Sequence, residues 1–145
     1  MMVEIHNVLN KMVEILQQLI EILHTEQMIL LESNPAHKLS NIIDEKNQLL
    51  ISLKILDEQR IAMGKQQKIE SPYHDNPSLS CQWVSIVETT ALLAQMNREN
   101  GAILQNRMDK AQQAIDFLNK LNNPNVYTNG GYQPTETVST TRAKV

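Results

Sequence analysis

Aromatic side chains are scarce in this chain: Trp83, Phe117, Tyr73, Tyr127 and Tyr132 are all it has in 145 residues. A core nearly free of rings, built from Leu, Ile, Val and Met, suits slender helical packing better than a sheet sandwich. Cysteine is scarcer still. Cys81 stands alone, so no internal disulfide can form and a reducing compartment is compatible. No basic stretch leads into an apolar one, so no secretory leader is expected, and no apolar run approaches the ~20 residues of a membrane span.

The motifs of catalysis are missing as well. The chain has no phosphate-binding loop, no paired CxxC, no HExxH and no nucleophile elbow. Glu21-x-x-His24 has the spacing of di-metal helical bundles but occurs once, where such sites need it twice plus two further carboxylates. Asp44/Glu45 and Asp57/Glu58 are sequence neighbours, roughly 100° apart around a helix, so neither pair converges for acid–base work. His6, His24, His37 and His74 are scattered and expected on the solvent side, and Cys81 beside Trp83 is expected to pack as a small residue. The expectation is a binding protein, with no enzymatic activity, metal or cofactor.

What remains is a chain of helix-forming residues with little punctuation. Prolines fall at 35, 72, 77, 124 and 134, and glycines at 64, 101, 130 and 131; only Gly101 lies inside a periodic segment. Net charge is −3, with Glu4, Glu14, Glu21, Glu26 and Glu32 against Lys11 in the first 34 residues. That acidic start repels phosphates and argues against nucleic acid as the main partner.

Three helices are expected, at about 3–33, 35–63 and 78–121, with a polar linker over 64–77, together one domain over 1–121. The first walks in four- and three-residue steps through Ile5, Leu9, Met12, Leu16, Leu19, Leu23, Glu26 and Leu30. Val8, Ile15, Ile22 and Ile29 widen its apolar face beyond what one neighbour needs. Asn34-Pro35 reads as a cap and first helical residue, giving a tight antiparallel turn. The second helix walks through Leu39, Ile42, Lys46, Leu49, Leu53, Leu56, Arg60 and Met63, ending at Gly64 as its C′ residue. Its place in mid-chain makes Asn41–Arg60 the expected spine, and Lys46 and Arg60 are two cations in its seam with no assignable partner. The linker, polar and with two prolines, is expected to be a flexible loop.

The third helix, capped by Asn76 or Ser78, walks through Trp83, Val87, Thr90, Leu93 or Ala94, Asn97, Gly101, Leu104, Met108, Ala111, Ile115 and Leu118. Its polar middle and Gly101, which costs about 1 kcal/mol against Ala, mark a weak or bent point. Unbroken, the helix is roughly 65 Å long against roughly 45 Å for the first, so its later apolar face, Leu104–Leu121, is expected to lie exposed or to await another chain. The tail, 122–145, carries two prolines, two glycines and little charge, and is expected to be flexible. Tyr127, behind Val126, is its candidate linear docking motif. The fold class is all-α: an antiparallel bundle of three long helices with a disordered C-terminal tail.

Three stretches together resemble one family. They are Asp44–Arg60 (DEKNQLLISLKILDEQR), Met96–Leu104 (MNRENGAIL) followed by Gln112-Gln113-Ala114 and Leu118, and Pro124-Asn125-Val126-Tyr127. In order and overall length the chain is similar to the FlgN family of flagellar type III export chaperones, departing from it at Val126 (Leu in the family) and Thr128 (Gly in close relatives). The resemblance implies a cytosolic protein that binds the C-terminal segments of the hook-associated proteins FlgK and FlgL and keeps them unassembled. It implies delivery to the export-gate protein FlhA, with the export ATPase FliI as a further partner and Tyr127 as the residue that docks on FlhA. With the exposed helical face, this makes Leu104, Met108, Ile115 and Leu118 the candidate client-binding residues, and Val126 and Tyr127 the candidate export-gate contact. The alternative reading is a structural coiled-coil or adaptor that self-associates through the same seams.

Overall fold

A computed structural model describes residues 2–122, with side chains from residue 4 onward. Three helices follow one another: α1 Met2–Leu30, α2 Ala36–Gln67 and α3 Pro77–Asn122. The chain divides into two compact units, Met1–Asn100 and Gly101 onward. The helical backbone of α3 continues through Gly101 without interruption.

In the first unit the central helix is α1. Every residue of its expected seam is buried, from Ile5 through Glu26 to Leu30, and Val8 and Ile29 beside it are buried too. Of α2, only Ile42, Arg60 and Gly64 are buried. The expectation that Asn41–Arg60 is the spine is therefore corrected: position mid-chain does not make a helix central. The wide face of α1 takes α2 on one side and α3 on the other, which is what its extra apolar row provides for. The backbones of α1 and α2 come closest, and α3 is held through side chains.

Cross-links fix the directions. Near the start of α1 the His6 ring nitrogen Nδ1 meets Gln82 Oε1 at 2.6 Å, and Gln82 Nε2 donates to Asn10 Oδ1. Near its end Asn100 Nδ2 donates to the Leu23 carbonyl at 2.9 Å. Thus α1 and α3 run parallel and α2 runs antiparallel to both. His6 is half-buried in this link, not on the solvent side as expected, because its ring bridges two helices.

The seam of α3 also differs from the expected walk. Leu79, Ile86, Leu93 and Asn100 are buried, at strict seven-residue spacing, while Val87 is exposed. The intervening positions Gln82 and Thr89 are polar, which hides the heptad in the sequence. Asn76 caps the helix, its Oδ1 accepting from the Leu79 N–H at 3.1 Å. At α2 the expected cap does not form: Pro35 takes the cap position, its carbonyl accepts from Leu39 at 2.8 Å, and no side chain caps the turn.

Both stray cations of α2 have partners. Lys46 Nζ lies 2.9 Å from Glu26 Oε2 and 3.4 Å from Asn97 Oδ1, and Glu26 Oε1 accepts from Asn100 at 2.9 Å. The one polar residue in the α1 seam, the first seam cation of α2, Lys46, and the polar middle of α3 are a single layer joining three helices. A buried carboxylate so paired and hydrogen-bonded sets register, since any slip would strand it.

Arg60 builds a second knot. Its Nε donates to Asp57 at 2.8 Å, its Nη1 donates to the Tyr73 hydroxyl at 2.9 Å, and its guanidinium lies 4.3 Å from the Trp83 ring centroid. Tyr73 packs edge-on against Trp83 with centroids 6.0 Å apart. Burial works against the Arg60 charge, but the hydrogen bonds to Tyr73 and Asp57 outweigh it and raise its pKa.

The linker is therefore not the flexible loop expected. Tyr73 is buried, with φ 62°, and anchors the segment to α2 and α3. Gly64 is not the C′ residue either. α2 continues to Gln67, Lys68 adopts the left-handed conformation, and the Ile69 N–H closes a Schellman-type bond to the Gly64 carbonyl at 2.9 Å. A Cβ on Gly64 would sit 2.5 Å from the Ile69 carbonyl oxygen, so glycine is there for close approach.

Candidate functional site

From Gly101 onward, Leu104, Met108, Ala111, Ile115 and Leu118 succeed one another at four- and three-residue steps and share one face of α3. Leu104 and Met108 are half-buried; Ile115 is 50% and Leu118 56% exposed. Phe117 and Leu121, which the four–three walk passes over, are 61% and 62% exposed. At 100° per residue they extend the apolar arc, with Ile103 and Ala114, to roughly half the helix circumference. Their sequence signal was an apolar i,i+4 pair containing the chain's one phenylalanine.

The remaining face of this segment carries hydrogen bonds between side chains four residues apart. Gln105 Nε2 donates to Asp109 Oδ1 at 3.0 Å, and Gln112 Nε2 donates to Asp116 Oδ1 at 2.9 Å. Each such i,i+4 pair contributes about 0.2–0.5 kcal/mol to a helix. These pairs support the helix locally, and large apolar side chains on the rest of its circumference are exposed to water.

Contiguous exposed apolar side chains of this size, rimmed by polar ones, mark interaction surfaces. The chemistry open to them is burial of another apolar surface. Among the described residues no group of three His, Cys, Asp or Glu converges on a metal-sized site, and no helix is long and apolar enough to cross a membrane. Cys81, expected to pack, is exposed, because the seam of α3 turns toward Leu79 and Ile86 and leaves it outside. Val126 and Tyr127 lie outside the described residues.

Comparison with known proteins bears on who uses such a surface. The FlgN protein family profile matches residues 1–135. This chain belongs to the FlgN family. It is 30% identical over 128 residues to the flagella synthesis protein FlgN of Proteus mirabilis, covering 88% of each chain. It is 28% identical over 125 residues to that of Yersinia enterocolitica, covering 86% of this chain and 85% of the relative. With the protein of Escherichia coli K12 it shares 27% identity over 135 residues, covering 92% and 93%. No solved structure matches. The family assignment agrees with the resemblance read from Asp44–Arg60, Met96–Leu104 and Pro124–Tyr127, and makes this a flagellar synthesis protein with an all-helical fold.

Proposed function

We propose that this protein is an export chaperone of the flagellar type III pathway, acting in the cytosol. It holds the C-terminal segments of the hook-associated proteins FlgK and FlgL, prevents their premature assembly and delivers them to the export gate through FlhA, with the export ATPase FliI as a further partner. The observation that carries this reading is the apolar face of α3 beyond Gly101. Ile115, Phe117, Leu118 and Leu121 stand half or more exposed on a helix whose other side carries the Gln105–Asp109 and Gln112–Asp116 hydrogen bonds. A client's amphipathic segment would bury them, as in helix-on-helix recognition, and Met108 adapts to more than one client. In this reading residues 1–121 are the client-holding part and 122–145 the delivery tail, with Val126 and Tyr127 its contact on the gate.

The test separates the two parts. Ile115→Asp with Leu118→Asp should abolish capture of FlgK and FlgL in calorimetry while helicity and melting stay near wild type. Tyr127→Ala should keep client binding and weaken affinity for FlhA. Clients still bound by the double aspartate variant, or an unchanged gate affinity in the tail variant, would remove the corresponding half of the proposal.

A further inference from the structure

Within the first hundred residues, α2 and α3 both rest on α1 but leave a groove of about 420 Å³ between them. Met12 and Ile86 form its floor; Leu50, Lys54 and Asp57 line the α2 wall, Trp83 and Val87 the α3 wall. Trp83 is held in place by Arg60 and Tyr73, so that wall is preorganised. Along the α2 wall, Leu50, Lys54, Asp57 and Ile61 follow at steps of four, three and four and form one stripe. Leu50 and Ile61 are 46% and 43% exposed.

The order of this stripe is apolar, cation, anion, apolar. Rotated by half a turn about a point between Ile55 and Leu56, it maps onto its own complement: Leu50 onto Ile61 and Lys54 onto Asp57. Such a pattern is what an isologous interface requires, where residue i meets j and j meets i. We propose that the groove receives α2 of a second copy of this chain, antiparallel, in a two-fold dimer. Each Lys54 then faces the partner's Asp57, each Leu50 faces the partner's Ile61, and the Trp83–Val87 wall covers the incoming helix from the side. Asp57 uses Oδ1 on Arg60 and its side chain is 41% exposed, so its other oxygen can accept from Lys54. A client helix could fill the same apolar space, but it would not call for a stripe that complements itself. The inference uses none of the residues assigned above to client or gate, and stands independently of that function.

Sedimentation equilibrium of the full-length protein tests it. The wild type should be a dimer. Lys54→Asp and Asp57→Lys each set two like-charge pairs across the two-fold and should weaken dimerisation by about tenfold or more. An equimolar mixture of the two variants restores both opposite-charge pairs and should dimerise again. Because Asp57→Lys also deprives Arg60 of a partner, a second mixture repeats the test away from it: Leu50→Asp and Ile61→Lys each fail alone and pair with one another. A monomeric wild type, a dimer indifferent to these changes, or mixtures that do not recover would each overturn the proposal. If the wild type is monomeric and Lys54→Asp instead releases FlgK or FlgL, the groove belongs to a client helix.

Discussion

One helix, α3, is used in two ways. Before Gly101, its side chains at 79, 86, 93 and 100 are buried at heptad spacing. After Gly101, its largest apolar side chains, Ile115, Phe117, Leu118 and Leu121, stand in water. The residue types are nearly the same in both halves, and so is the backbone. What differs is how far the face is covered. Apolar periodicity says that a face must be covered; it does not say by what. The sharpest way to break this contrast is to shave one leucine from each half. Leu79→Ala, at a fully buried site, should cost about 2–5 kcal/mol in urea unfolding. Leu118→Ala should stay within about 0.5 kcal/mol of wild type while weakening client capture. Equal costs at the two sites would mean that the second half is core as well.

Much of this was legible in the sequence, and the misses share a cause. The α1 seam was read correctly because apolar residues recur at nearly every step. The helix count follows from punctuation, which also narrows the cap of α3 to Asn76 or Ser78, and Asn76 takes it. The centre of the bundle is not legible, because order along the chain is not order in space: α1, not the mid-chain α2, is the buried helix. The linker's order is hidden because a polar, proline-bearing stretch suggests freedom, while one buried aromatic, Tyr73, ties it down. The polar layer was visible only as separate flaws: Glu26 in one seam, Lys46 in another, Asn97 in a third. A hairpin turning near residue 36 sets positions 26 and 46 level, so the turn could have paired the first two. Phe117 and Leu121 were missed because a four–three walk follows one stripe and ignores the row beside it.

The polar layer sharpens the contrast next, since it sits at the end of the buried half of α3. Glu26→Ala removes the acceptor shared by Lys46 and Asn100, leaving the largely buried Lys46 charge with only the long contact to Asn97 and Asn100 with only the Leu23 carbonyl. A loss of about 2–4 kcal/mol is expected. Changing Glu26 and Lys46 together to leucine removes both charges and should cost less than Glu26→Ala alone. If the double change is the worse of the two, the layer contributes net stability and not only register.

The smallest effect is expected at Gly101, where the two uses of α3 meet. It is helical and exposed, and a Cβ placed on it would meet nothing within 4 Å. No close approach requires glycine there, unlike Gly64. Gly101→Ala should therefore stabilise the protein by about 0.5–1 kcal/mol through the lower entropy of the unfolded chain and better helix propensity. Thermal unfolding reads the gain, and calorimetry with FlgK or FlgL reads its consequence. Unchanged affinity in a more stable variant means that the client meets α3 as a continuous helix, and the glycine is a tolerated cost. Weaker affinity in a more stable variant means that capture draws on the deformability of the helix at the point where its buried seam ends. In that case the boundary between the two halves is itself part of the binding mechanism, and the face beyond it is positioned on contact with the client.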